Sequence, residues 1–417
     1  MSLFLYNLFL KLYHAGIRLW AVRNKKARTW LQGRKDIFRH IEATLGGKKE
    51  KRVWIHCASL GEYEQGRPVI EALRQSPKTA ELKIVLSFFS PSGYEITKNH
   101  SPADYVFYLP MDGRENAERL VRLVDPAWVL FVKYEFWYHY LHTLYREGIP
   151  VFLISAAFRP SQPFFAWYGG LFRKMLGFYR HIFLQDASSQ KLLTGIGIRH
   201  TTVAGDTRYD RVVRIAAEAK TYPLIEAWQK QSPILIAGST WPDDEKILAK
   251  ALPALPENWK LIIAPHEIQE KRLRDIEHLF GEKMVRYSKL ADEPDAGRWL
   301  LMDNMGMLSG LYRFGTVAFI GGGFSKEGIH NILEPAVFGL PTAFGPYYKK
   351  FTEAVLMVEN QLAFSVQHAQ EYRLILEKLI NDTAYRTTLK TEILRLVQSQ
   401  QGATEQIVER VQQEIKG

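Results

Sequence analysis

Apolar residues along the chain fall into short runs separated by segments of helical spacing, and that alternation predicts the architecture. Runs rich in β-branched and aromatic residues at 53–57, 83–87, 105–109, 128–132, 151–154, 181–184 and 201–204 read as buried strands. Helical spacing lies between them, for instance at 66–74 and 114–123, and Pro91-Ser92-Gly93 predicts a turn. The pattern pauses around 208–232, then restarts with strands at 234–237, 261–264, 284–285, 300–302 and 317–320. Strand and helix alternating twice over predict an α/β protein of two doubly wound halves, facing a cleft between strand carboxyl ends. Residues 36–215 and 216–417 are the expected domains, after a first segment 1–35. The final helix is a candidate to pack back on the first domain.

The first segment has its own pattern. Residues 3–22, LFLYNLFLKLYHAGIRLWAV, are mostly apolar, but Asn7, Lys11, His14 and Arg18 recur at helical intervals and so line one face. A lysine and an arginine inside the stretch argue against a spanning helix. The lack of a basic start or a small-residue cleavage site argues against a secretory signal. Arg23, Lys25, Lys26, Arg28, Arg34 and Lys35 follow, and each cation near an anionic leaflet contributes roughly 1 kcal/mol. The segment reads as a membrane-surface helix. An ordinary first helix packed on a core is the alternative.

Composition narrows the partners. The chain has 417 residues, of which 47% are hydrophobic and 24% charged, as in a globular protein of more than one domain. A net charge of +11 points to an anionic partner: nucleic acid, phospholipid or a phosphorylated substrate. The single cysteine, Cys57, excludes an internal disulfide framework, and no Cys or His cluster has zinc spacing.

Candidate chemistry sits in the loops where strands end. At 317–346, VAFIGGGFSKEGIHNILEPAVFGLPTAFGP, a strand stops at Gly321, Gly322 and Gly323. Glycines there permit a sharp turn and the close approach of a ligand. Helical spacing resumes near His330, with Ile332, Leu333, Ala336, Val337 and Leu340 as the buried stripe. Free N–H groups at such a helix start suit an anion. Glu334, about a turn in, is placed to reach a ribose hydroxyl pair. A tight turn with a surface glutamate is the plainer account. In HCASLGEYEQGRP (56–68), Ser59, Gly61 and Glu62 stand at a helix entry. Glu62 there would act as a general base or only complement the helix dipole, and Glu64 is its rival in the same loop. Lys133-Tyr134-Glu135-Phe136-Trp137 holds a charged pair in an aromatic run, costly to bury unpaired. It serves a site or forms a salt bridge inside the domain.

The second half repeats the arrangement. In AGSTWPDDE (237–245), Ser239 and Thr240 offer donors to a phosphate or cap the next helix. Asp243 and Asp244 read as dipole partners of that helix rather than metal ligands. His266 in APHEIQEKR (264–272) is placed to contact a nucleotide or is a plain loop histidine, and Gly306 in DNMGMLSGLY (303–312) lets backbone meet a flat base.

With these motifs in order, the chain resembles the 3-deoxy-D-manno-octulosonic acid (Kdo) transferases of Gram-negative bacteria over nearly its full length. The resemblance rests on the first helix, HCASLGEYEQGRPVIEAL, YEFW, AGDTRYDR, AGST, APHE, the DNMG turn and the 317–346 stretch. It implies a GT-B-type fold of two Rossmann-like domains, no bound metal and no cofactor. It further implies a cytidine monophosphate (CMP)-Kdo donor and a phosphorylated, acylated glucosamine disaccharide, the lipid A precursor, as acceptor. Work at the cytoplasmic face of the inner membrane, without nucleic acid, goes with that substrate. By the same resemblance Glu62 is the base and Glu135 a second functional carboxylate. Ser239, Thr240, Gly322, Gly323, Asn331 and Glu334 match the donor-side motifs, with Glu334 as the ribose ligand. Three departures stand out: His266 where the family often has Arg, Met307 where an acid is usual, and SAAFRPSQPFF, with Arg159, in place of the expected run after Ile154. Arg173, Lys174 and Arg180 in the aromatic segment 158–181 suit acceptor phosphates or headgroups, or are solvated tips of a core helix. The alternatives are another GT-B enzyme using a UDP-sugar, a nucleotide-sugar epimerase, and a non-enzymic basic protein.

Overall fold

A computed structural model describes residues 2–218, 221–281, 284–292 and 297–415. The chain divides into two compact units, Met1–Asp210 with Gln401–Gly417, and Arg211–Gln400. In the first unit seven strands form one parallel sheet: β1 (Arg52–Cys57), β2 (Lys83–Phe88), β3 (Tyr105–Tyr108), β4 (Pro126–Val132), β5 (Val151–Ala156), β6 (His181–Leu184) and β7 (Thr201–Val203). Their order is β3-β2-β1-β4-β5-β6-β7. Period-two alternation divides the side chains between two cores. Val53, Ile55, Leu130, Val132, Phe152 and Ile154 enter one, and Trp54, Val129, Phe131 and Leu153 the other. A sheet buried on both faces needs apolar residues at most positions, which is why these strands read as nearly continuous runs.

Helices α1 (Leu3–Trp20), α2 (Lys25–Gln32) and α3 (Ile37–Leu45) precede the sheet, and α4 (Leu60–Gln75) follows β1. α1 is tied down by its polar side. Tyr6 donates to Asp112 at 2.6 Å, and Asn7 Oδ1 lies 2.7 Å from His139 Nε2. His14 stands against Trp30. The outer side is apolar: Phe4 is 73% and Leu19 78% exposed. Among the described residues no helix is long and apolar enough to cross a membrane.

α4 begins at Leu60 rather than near 66, with Ser59 in extended conformation as its N-cap. Gly66 lies inside it because the helix runs close over the sheet: a Cβ there would sit 3.0 Å from Val132 and 3.3 Å from Cys57 Sγ. Pro91-Ser92-Gly93 opens a helix, Pro91–Thr97, instead of a turn. Proline suits a first helical position, and Ser90 caps it. The last helix, Ala403–Glu414, belongs to this unit. Ile407, Val408 and Val411 join the core that α4 covers, and Asp210 accepts from the Gly402 and Thr404 amides, each at 2.7 Å.

The second unit is also one parallel sheet: β8 (Ile234–Thr240), β9 (Lys260–Pro265), β10 (Met284–Arg286), β11 (Trp299–Leu301), β12 (Val317–Ile320), β13 (Thr342–Phe344) and β14 (Ala363–Ser365). The order is β10-β11-β9-β8-β12-β13-β14. β8 extends to Thr240, beyond the predicted end, across a register shift where Ser239 takes φ +54°. The helix expected from His330 shrinks to Leu333–Ala336. Ile332, Leu333, Ala336 and Leu340 are buried as expected, but Val337 is only half-buried. Gly339, at φ +73°, turns the chain out of the helix and toward β13. The strand order reverses direction at β1/β4 in the first sheet and at β8/β12 in the second, where β10 and β11 are also exchanged at the edge. Parallel α/β sheets bind ligands at the carboxyl ends beside such a reversal.

Candidate active site

In the first unit the reversal brings together the loops after β1 and β4. Glu62 is the third residue of α4, at the positive end of that helix, and is half-buried. The Ser59 hydroxyl donates to one of its carboxylate oxygens, and Gly61 beside it is exposed. Glu135 differs. It is 3% exposed, after Lys133 in the left-handed region at φ +70°. Trp137 Nε1 donates to Glu135 Oε2 at 2.5 Å, and His56 Nε2 lies 2.9 Å from the same oxygen. Tyr179 donates to the Glu135 carbonyl. On its far side, His56 Nδ1 faces Ser87 Oγ at 2.8 Å and the Ser87 carbonyl at 3.0 Å, and Trp54 donates to Ser87 Oγ at 2.7 Å. Glu135 therefore ends a sealed polar chain running under the sheet's carboxyl edge. Burial, then the charges of Glu62 and Glu135, hold the Cys57 thiol well above its ordinary range, so both carboxylates converge on the end of β1. Sequence reasoning found both acids but missed His56, Ser87 and Trp54. Two polar residues interrupting apolar strands, His56 in VWIHC and Ser87 in IVLSF, were the available signal.

In the second unit the glycine turn after β12 is packed against protein. A Cβ on Gly321 would lie 2.2 Å from the Ser239 carbonyl, one on Gly322 2.5 Å from the Gly328 carbonyl, and one on Gly323 2.5 Å from the Gly345 nitrogen. Gly322 also needs its φ of +89°. The space the sequence assigned to a ligand beside these Cα atoms is filled by neighbouring backbone. Asp244, almost wholly buried, clips the turn: its Oδ2 accepts from the Gly322 and Trp241 amides, both at 2.8 Å. Burial outweighs those two bonds and pushes its carboxyl up to about 6. Asp243 is exposed and pairs with Lys246. Among the described residues no group of three or more His, Cys, Asp or Glu could hold a metal ion.

Three predicted donor residues share one cavity. Ser239, His266 and Gly306 line a space of about 90 Å³ together with Asn304, Met305 and Met307. Thr240 does not join them. It is buried, and its hydroxyl donates to Glu245 at 2.8 Å, a carboxylate also held by Arg272. Asn331 caps the short helix, accepting from the Leu333 amide at 3.1 Å, and its Nδ2 donates to Glu334 at 3.3 Å. Burial raises the Glu334 carboxyl above the usual range, against the opposing pull of Asn331 and Arg211. Trp241 and His330 went unpredicted. The His266 ring stacks on both, with centroids 4.7 Å from Trp241 and 4.4 Å from His330.

Comparison with known proteins adds a family. A family model described as 3-deoxy-D-manno-octulosonic-acid transferase (kdotransferase) matches residues 32–211, a span that includes Glu62 and Glu135. A 3-deoxy-D-manno-octulosonic acid transferase from Haemophilus influenzae is 26% identical over 369 residues, covering 86% of this chain and 86% of its own. One from Aquifex aeolicus is 27% identical over 351 residues, covering 82% and 88%. Among solved structures, a UDP-glucosyltransferase from Polygonum tinctorium superimposes with a TM-score of 0.58 at 12% identity, covering 89% of this chain and all of that one. At that identity the likeness speaks for the fold alone, which is of GT-B type.

Proposed function

Because the chain belongs to the 3-deoxy-D-manno-octulosonic acid (Kdo) transferase family, we propose that it moves Kdo from CMP-Kdo to a lipid A precursor in lipopolysaccharide biosynthesis. The observation that carries this reading is Glu62, a carboxylate with one hydroxyl partner and access to solvent, at the strand-order reversal of the first sheet. In this proposal Glu62 accepts the proton of an acceptor hydroxyl. The oxygen so freed attacks the anomeric carbon, and the sugar–phosphate bond breaks with its electron pair leaving on CMP. Glu135 has almost no exposure, so it acts on the positions of Trp137 and His56 rather than on substrate. On the second unit, the cavity of Ser239, His266 and Gly306 takes the base. Glu334, half-buried and with Asn331 as a hydrogen-bond partner, takes the ribose hydroxyls.

The acceptor is a lipid, and we assign α1 to the surface that meets it. Asn7 and His14 of its polar stripe are used on the protein, leaving Phe4, Leu5, Phe9, Leu12 and Leu19 exposed along the outer side, with Lys11 and Arg18 also open to solvent. Trp167, 92% exposed, and Tyr168 add an aromatic pair of the kind that sits at headgroup level. This suits peripheral attachment at the cytoplasmic face of the inner membrane.

Incubation with CMP-Kdo and a tetra-acylated disaccharide bisphosphate, with mass analysis of the product, tests the reading. Gain of the mass of Kdo is expected. Turnover with a UDP-sugar and none with CMP-Kdo would replace it with another GT-B transferase or a nucleotide-sugar epimerase.

A further inference from the structure

The glycine turn is where the sequence placed the donor phosphate, yet four of the amides around it are already used. Gly321 N–H donates to the Gly238 carbonyl at 2.9 Å, Gly322 N–H to Asp244, His330 N–H to the Gly321 carbonyl at 3.1 Å, and Leu333 N–H to Asn331. A phosphate leaving with a new electron pair is stabilised by each further donor aimed at it. His330 has one to give. Trp241 Nε1–H lies 3.1 Å from His330 Nε2, and an indole N–H only donates. His330 Nε2 is therefore the acceptor, and the proton of the neutral ring sits on Nδ1. The Cδ2–Nε2 edge faces Gly322, where an added Cβ would come within 3.1 and 3.4 Å of those two atoms. That turns the Nδ1 edge away from the turn. Nδ1 has no protein partner among the described residues and is not sealed from solvent. Burial, then the neighbouring His266, bring the ring's pKa down to about 4, so it stays neutral with its tautomer fixed.

We propose that His330 donates its Nδ1–H to the phosphate of the CMP-sugar as the sugar–phosphate bond breaks, and that Trp241 is the positioning residue that fixes this tautomer. The role rests on the CMP-sugar reading above. The electron pair of the broken bond remains on the phosphate oxygen, the acceptor's proton goes to Glu62, and His330 keeps its own. It ends the step as it began, neutral and hydrogen-bonded to CMP. A neutral donor strengthens its bond as charge develops, without the cost of losing a proton.

Two measurements on the full chain test this. The first uses no substrate: imidazole 1H–15N correlation spectra of histidine-labelled protein, with the His330 signal assigned by its loss in His330→Gln. A pattern protonated at Nδ1 is expected between about pH 5 and 8, changing to a mixture of tautomers in Trp241→Phe. A pattern protonated at Nε2, or a cationic ring, in the wild type overturns the proposal. The second is kinetic. His330→Ala should lower kcat roughly 10²- to 10³-fold, the effect of removing one such donor, with the donor KM little changed. His330→Asn, whose amide N–H falls near the Nδ1 position, should recover part of the loss and guards against misfolding of the alanine variant. A wild type inactive on CMP-Kdo overturns the transferase reading and this role with it. An active wild type whose His330→Ala and His330→Asn variants both keep near-normal kcat overturns this role alone.

Discussion

The two sheets share a parallel architecture and a reversal of strand order between two inner strands, but they use the acids beside it in opposite ways. At the reversal of the first, Glu62 keeps one hydroxyl partner and solvent contact, while Glu135 closes the His56–Ser87–Trp54 chain behind it. At the reversal of the second, Asp244 and Glu245 are directed inward: one clips the glycine turn, the other secures Thr240. A carboxylate left with few partners at a helix's positive end is poised to accept a proton. One bonded to backbone amides sets a loop's shape. Topology places the acids, and their partners decide what they do.

Three substitutions probe this contrast. The largest effect is expected at Glu62. Glu62→Ala should lower kcat by roughly 10²- to 10⁴-fold, the range for a general base, with CMP affinity and melting temperature unchanged, as steady-state assays, calorimetry and melts would show. Near-normal turnover would remove Glu62 from the chemistry. Glu135→Ala should act on stability, because it leaves the polar groups packed around its buried carboxylate, the Trp137 indole N–H first, without a partner, at about 1–3 kcal/mol for each group stranded. A variant that melts like the wild type but has lost transfer would move Glu135 into direct contact with substrate.

Asp244 gives the smallest effect and a sign. Its folded carboxyl is raised to about 6 from an ordinary value of 3.8, so the folded state holds the proton more tightly than the unfolded one. The associated stability is fully present below the unfolded value and is lost as pH rises through about 6. The size is about 3 kcal/mol, from two units at 1.36 kcal/mol each. Asp244→Asn keeps an oxygen for the two amides and has nothing to titrate. Its denaturant-unfolding stability should therefore vary less than wild type's between pH 4 and 7. An unchanged pH profile would show that Asp244 does not titrate in this window.

The sequence made the strands legible because sheets buried on both faces keep most strand positions apolar, with interruptions as few as His56 and Ser87 inside β1 and β2. It misread places where glycine or proline serves packing rather than punctuation. Gly66 sits inside α4 to let the helix approach Val132, Pro91 starts a helix, and Gly339 ends one early. The acids at strand ends could be named from their loops. Their partners could not, since His56 meets Ser87 across two strands and Trp241 meets His330 across the β8/β12 reversal. In α1 the polar stripe was visible, but not its direction: Asn7 and His14 turn toward the protein, and the apolar side is left outside.

The last helix sets an order of events in synthesis. Residues Arg211–Gln400 intervene between Asp210 and Ala403–Glu414, which completes the first unit. At roughly 5–20 residues per second, the ribosome takes on the order of tens of seconds to cross that insertion. Throughout that interval the surface that Ile407, Val408 and Val411 will cover lies bare on the nascent chain. The unit translated first is thus finished last, and Asp210, waiting to cap the arriving helix, marks where the two ends of its chain rejoin.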